Sequence, residues 1–123
     1  MTEKYILTHD LGTSSNKAVL FNLYGRLIAE ARHDYTVHYP QANYAEQDPY
    51  DWLHAVYTST HKAMQMAGIS PDQIAGITFS CQMQTVVAVD EKGVPVMPAI
   101  SWLDTRGQEI LYDKLWTWPR IIG

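Results

Sequence analysis

The stretch Asp10-Leu11-Gly12-Thr13-Ser14-Ser15-Asn16-Lys17, set between the apolar runs Tyr5-Ile6-Leu7 and Ala18-Val19-Leu20-Phe21, constrains this chain more than any other. Two short apolar runs on either side of a Gly-containing turn read as a β-hairpin. Gly12 permits close approach of the backbone to a ligand, and successive N–H groups in such a turn form a concavity suited to anions. Thr13, Ser14 and Ser15 add short donors, Lys17 adds a positive charge, and Asp10 can hold Mg²⁺ through water. The same turn chemistry serves ordinary hairpins, so the stretch is either a plain connection or a phosphate-holding tip. It is neither a Walker loop nor a dinucleotide fingerprint, since G-x-x-x-x-G-K-[ST] and G-x-G-x-x-G are both missing from the sequence.

A chain of 123 residues suits one domain, and 46% hydrophobic content excludes a disordered tail. The net charge of −4, with no basic cluster, argues against a nucleic-acid partner. The five histidines do not fall at metal-ligand spacing. A single cysteine, Cys81, rules out an internal disulfide and fits a reducing compartment; a buried, inert thiol beside a strand end is expected. The chain opens Met-Thr-Glu-Lys and passes directly into a strand, and its apolar runs are too short to cross a bilayer. A cytoplasmic location without membrane contact is expected.

Along the chain, Tyr5–Thr8, Lys17–Leu23 and Leu27–Tyr35 read as an antiparallel meander, with Asn22-Leu23-Tyr24-Gly25 as the second turn. Residues 36–47 have no sustained period and read as a surface loop. Asp48-Pro49 opens a helix that Gly68 closes, with Asp51 in its first turn. Trp52, Val56, Ser59, Ala63 and Met66 recur at helical spacing, and this stripe, Trp and Met included, is expected in the core. Ile74–Ser80, Thr85–Val89 and Ala99–Trp102 read as further strands, with a hairpin turn at Asp90-Glu91-Lys92-Gly93. A second helix is expected from Asp104 to about Trp116, with Ile110, Leu111 and Leu115 on one side. The order βββ-α-β-β-β-α predicts an α/β fold with a mixed sheet.

Three more patches carry polar chemistry. Glu46-Gln47-Asp48 precedes the helix N-terminus, either as capping alone or as a site for polar ligands. Ser80-Cys81-Gln82-Met83-Gln84-Thr85 leaves the carboxyl end of a strand, where α/β sheets place ligands; its two amides suit hydroxyl groups, or serve a plain polar connection. Trp102-Leu103-Asp104-Thr105-Arg106 alternates an indole, a carboxylate and a guanidinium. That set suits a sugar or polyol, or else a capping Asp104 paired to Arg106 beside a core Trp.

Taken in order, D-x-G-T-x-x-x-K from Asp10, A-E-Q-D-P-x-x-W from Ala45, I-x-G-I-x-x-S-x-Q-M from Ile74 and G-x-P-x-x-P-A-I-x-W-x-D-x-R from Gly93 resemble the start of the FGGY carbohydrate kinases. The likeness runs from about residue 4 to residue 107. It implies a ribonuclease H-like fold of the actin and hexokinase type, with a mixed sheet and flanking helices. It also implies that residues 1–123 are the N-terminal portion of the first of two domains. The family phosphorylates a sugar or polyol hydroxyl with MgATP.

By position, the resemblance implies that Asp10 is the Mg²⁺-associated carboxylate. Gly12, Thr13, Ser14 and Lys17 then face the ATP phosphates. Gln82, Met83 and Gln84 lie on the sugar loop, Trp102 walls the sugar site, Glu46 lies near the substrate pocket, and Asp104 and Arg106 occupy the W-x-D-x-R positions. Glycerol kinases carry Arg-Glu where this chain has Met83-Gln84, and xylulokinases carry Q-M-H-G where it reads Q-M-Q-T. A pentulose such as xylulose is therefore favoured over glycerol. His9 stands where an apolar residue is common, and a locally satisfied imidazole is expected. The family's general base and adenine site lie in later regions, so the 123 residues alone are expected to be inactive. An apolar face left open for those regions offers a route to a homodimer. The alternative is a truncated sugar-binding or regulatory remnant without catalysis.

Overall fold

The computed structural model describes residues 3–108 and Leu111. The chain divides into two compact units, Met1–Thr36 with Asp48–Met83, and Val37–Gln47 with Gln84–Gly123.

The first unit is a four-stranded sheet with one long helix. Strands β1 (Tyr5–Leu11), β2 (Ser15–Asn22) and β3 (Leu27–Asp34) form the predicted meander. Asn22 closes its second turn, its side chain accepting the Tyr24 and Arg26 amides while Gly25 takes φ 79°. Helix α1 (Pro49–Ala67) then returns the chain to β5 (Ile74–Cys81), which pairs parallel to β1. The sheet order is β3-β2-β1-β5, so the sheet is mixed as its sequence pattern predicts.

α1 starts and stops where its end residues dictate. The Asp48 carboxylate accepts the Tyr50 amide at 2.9 Å, and Gly68 adopts the left-handed conformation that ends the helix. Its buried stripe is Ala55, Ser59 and Ala63, at i, i+4 and i+8. Small residues on this stripe let the helix approach Tyr5, Leu7, Ala18, Leu20 and Ala29 of the sheet, with Met64 and Ala67 packed at its flank. The expected placement of Met66 in the core is wrong: it is 69% exposed, because the face turned to the sheet runs through Ala63, Met64 and Ala67 and passes Met66 by. Trp52 is half-buried.

Strand β5 is one of the two edges of the sheet, and Ile77 and Phe79 stand exposed on it. Cys81, at its end, is also exposed, which corrects the expected buried thiol; an edge strand has a neighbour on one side only.

In the second unit, β4 (Glu46–Gln47) pairs antiparallel with β6 (Ala99–Ile100). β4 arises inside the stretch read as loop, with His38 bridging to Glu46 just before it. Two residues are too few to show a period. The strand expected at Thr85–Val89 is reduced to isolated bridges, Val86 to Ile100 and Val89 to Pro95. Pro95 and Pro98 lack the amide donors that a continuous ladder across from it requires. The Asp90–Gly93 turn forms as predicted, with the Asp90 side chain accepting the Lys92 and Val94 amides. Asp104 and Thr105 are irregular and Arg106–Gly107 form a turn, so the helix does not begin at Asp104, whose carboxylate accepts the Ala45 amide; Gln108 and Leu111 are helical. The rest of that predicted helix, Ile110 and Leu115 included, lies outside the described residues.

Candidate functional site

The β1–β2 register sets Asp10 opposite Lys17 and leaves Gly12–Ser14 as the tip of the hairpin. Side chains alternate along both strands, with His9 and Asn16 buried and Asp10 and Lys17 exposed. Asp10 and Lys17 thus share the face turned away from the core. The parallel pairing of β5 adds Ser80 beside Asp10, giving a row Lys17–Asp10–Ser80 across three strands. Among the described residues, neither Asp10 nor Lys17 enters an ion pair.

The tip is braced from within. The Gly12 amide donates to the Ser15 carbonyl at 2.9 Å, and the Tyr35 amide donates to the Ser14 carbonyl at 3.0 Å. The Tyr35 hydroxyl reaches the carbonyls of Gly12 and of Ser15, the latter at 3.0 Å. Burial, then the nearby charge of Asp10 and then Cys81, push the Tyr35 hydroxyl up to about 12, so it stays a donor. Sequence reasoning missed this residue, because a tyrosine at the end of a strand carries no signal of what it will brace. Gly12 itself lies outside the left-handed region among the described residues. A Cβ there would meet only the Ser15 carbonyl, at an ordinary 3.5 Å. Nothing inside the turn demands glycine, and the missing side chain leaves room on the outside.

At the end of β5 the Gln82 amide donates to the Leu11 carbonyl at 2.8 Å, carrying the β1 pairing one residue past the strand. Met83 is 78% exposed. Gln84 takes φ 61°, a conformation that costs a residue with a Cβ on the order of 1 kcal/mol. The sequence gives no sign of this strain, since glutamine is not a turn residue.

In the second unit Glu46, Asp104 and Arg106 come together. The Arg106 Nε and Nη2 donate to Asp104 at 2.6–2.9 Å, and Nη2 also donates to Glu46 Oε1 at 2.7 Å. The guanidinium lies 3.6 Å from the centre of the Tyr44 ring. Asp104 Oδ2 accepts the Ala45 amide at 2.8 Å as well. The Arg106 hydrogen bonds, with the Ala45 and Arg106 amides, hold the Asp104 carboxyl down to about 2 although burial opposes this. Asp104 and Glu46 in turn push the Arg106 guanidinium higher still. The W-x-D-x-R positions therefore divide: Asp104 and Arg106 turn inward as a clamp on residues 44–46, while Trp102 is half-exposed.

Asp10 is the one acidic group of the hairpin, and no group of three His, Cys, Asp or Glu that could hold a metal ion occurs among the described residues. The single exposed carboxylate of Asp10 is compatible in donor type with Mg²⁺, which takes one or two carboxylates and completes its shell with water and substrate phosphates.

Residues 5–115 match the family model for the FGGY family of carbohydrate kinases, N-terminal domain. This chain belongs to that family. A glycerol kinase of Pseudothermotoga lettingae is 37% identical over 103 residues, covering 83% of this chain and 21% of that protein. Among solved structures, a gluconate kinase from Lactobacillus acidophilus is similar with a TM-score of 0.85 and 27% identity, covering 98% of this chain and 24% of that one. A ligand-bound xylulose kinase from the same organism follows at 0.84 and 28%, covering 97% and 24%. The fold is thus the ribonuclease H-like one of the sugar kinases, present here as a partial α/β domain with a mixed sheet. The chain spans about a fifth of the length of the curated relatives it matches (21% of the first).

Proposed function

We propose that the protein of which these residues form part phosphorylates a hydroxyl of a sugar or polyol with MgATP. These residues are then the N-terminal portion of its first domain. The observation that carries this reading is the braced tip above the Lys17–Asp10–Ser80 row, in a chain of the FGGY family. The hydroxyls of Thr13 and Ser14 and the ammonium of Lys17 hold the phosphates, and Gly12 lets them approach the backbone. Asp10 positions Mg²⁺ through water; when bound, that ion neutralises charge on the transferring phosphoryl group. Gln82, Met83 and Gln84 contact the sugar, with Trp102 and Glu46 in the substrate pocket and Asp104 and Arg106 holding Glu46 in place. The base that takes the hydroxyl proton comes from outside these 123 residues, so they alone support no turnover.

Gln82-Met83, by its resemblance to the xylulokinase pattern, favours a pentulose such as xylulose, and a xylulose kinase is among the solved structures to which the fold is similar. A second reading, glycerol, is favoured by the 37% identity to a glycerol kinase. No helix among the described residues is long and apolar enough to cross a membrane, and a cytoplasmic location fits the use of ATP. The test is ADP release by the intact protein with MgATP and xylulose, gluconate or glycerol in turn. Release that depends on one of them supports the reading and selects the substrate. Sugar binding with no release from any would leave a binding remnant instead.

A further inference from the structure

Beneath the hairpin, on its core face, lies a polar cluster with no part in holding phosphate. His9, Asn16 and Ser59 are each 3% exposed or less, in a layer otherwise built from Leu7, Ala18, Leu20 and Ala63. Asn16 Nδ2 donates to His9 Nδ1 at 3.0 Å and to Ser59 Oγ at 2.7 Å. The Ser59 hydroxyl donates onward to the Ala55 carbonyl of α1 at 2.7 Å. Because His9 Nδ1 accepts, the neutral ring carries its proton on Nε2, which faces Thr60 Oγ1 of α1 at 3.4 Å. The ring is stacked on Phe79 of β5, with centroids 4.7 Å apart. Burial also pulls His9 below its ordinary value, in keeping with a neutral ring.

Polar groups buried in an apolar layer are costly, and here Asn16 Oδ1 has no hydrogen-bond partner among the described residues, so a hairpin needing only to pack would place apolar residues at these positions. What distinguishes these two positions is their sequence neighbours. His9 immediately precedes Asp10 on β1, and Asn16 immediately precedes Lys17 on β2. Neighbours on a strand point to opposite faces, so fixing the inner side chain fixes the backbone that carries the outer one. Two strands and α1 are joined through one amide, where apolar contacts alone would tolerate sliding.

We infer that His9, Asn16 and Ser59 are positioning residues: they lock the hairpin tip to α1 and so set the spacing of Asp10 and Lys17. The inference rests on the proposed phosphate-holding role of that pair for its functional consequence, while the lock itself can be measured without it. The experiment compares Ser59→Ala, His9→Leu and His9→Gln in the intact protein by amide hydrogen exchange of residues 12–17, thermal unfolding and MgADP affinity. Ser59→Ala removes only a hydroxyl and leaves no large cavity. It is expected to raise exchange at the tip about tenfold over the rest of the sheet and to weaken MgADP by a similar factor, with sugar affinity unchanged. His9→Leu should do the same. His9→Gln, whose side-chain carbonyl can accept the Asn16 N–H, should recover most of the loss. A role in stability alone would raise exchange evenly across the sheet. Even exchange, or tip exchange equal to that of the unmutated protein in both Ser59→Ala and His9→Leu, overturns the inference. If the unmutated protein does not bind MgADP, the phosphate reading falls and the exchange result alone decides the lock.

Discussion

Gly12→Ala separates what the fold requires from what a ligand requires. The turn holds Gly12 outside the left-handed region, and the added methyl would lie 3.5 Å from the Ser15 carbonyl, an ordinary contact. With no strain in the folded state, the substitution acts through the unfolded chain, which has fewer conformations to lose on folding. That effect is stabilising by roughly 0.4–1 kcal/mol. The outside of the turn behaves oppositely. If phosphate oxygens approach the backbone here, the methyl displaces them from the tip. Losing one charge-assisted hydrogen bond, about 1.5–3 kcal/mol, weakens nucleotide binding by roughly 10- to 100-fold. Thermal unfolding without ligand and calorimetric titration with MgADP read the two effects in the same preparation. The expected result is a midpoint equal to or above that of the unmutated protein together with the loss of nucleotide affinity. A lowered midpoint would show that the turn itself needs glycine. Unchanged affinity would show that no phosphate approaches Gly12, and the reasoning would be refuted.

Tyr35→Phe removes the hydroxyl that reaches the Gly12 and Ser15 carbonyls. It should lower stability by about 1–3 kcal/mol, read by denaturant titration, with the tip showing the largest chemical-shift changes. Arg106→Lys should destabilise by about 1–2 kcal/mol, because an ammonium cannot reproduce the forked contact with Asp104 or the stacking on Tyr44. Asp104 titrates in the folded state at about 2, below its ordinary value of 3.8, so its stabilising contribution is complete above 3.8 and is lost as pH falls toward 2. Unfolding curves between pH 5 and pH 2 should therefore be less steep in pH for Asp104→Asn. Gln84→Gly should relieve the left-handed strain and raise stability by about 1 kcal/mol while weakening sugar binding; a fall in both would refute the strain.

The sequence pattern made the first unit legible because its signals are local and repeated. Alternating apolar residues announced β1 and β2, and Asp48-Pro49 and Gly68 bounded α1 to within a residue. His9 is satisfied, but by partners on β2 and α1 that lie 7 and 51 residues away and not locally as expected. Met66 has the apolar character of a core residue, but small residues are what let this helix approach the sheet, and Met66 lies off their stripe. The second unit was harder to read. Its two-residue strands have no period, and prolines at positions 95 and 98 erased a ladder that Val86–Val89 otherwise advertise. Asp104 and Arg106 were marked by their spacing, but their inward clamp on Glu46 depends on contacts 60 residues apart in sequence. Tyr35 and the twist at Gln84 left no trace in residue type at all.

The most direct test follows the backbone amides of residues 12–17 by nuclear magnetic resonance as MgADP is added to the intact protein. A phosphate-holding hairpin predicts saturable shifts that are largest at Thr13 and Ser14, extend to Lys17, and are diminished by Gly12→Ala. Saturable binding with shifts elsewhere, or no binding at all, would contradict the assignment of this hairpin to nucleotide phosphate.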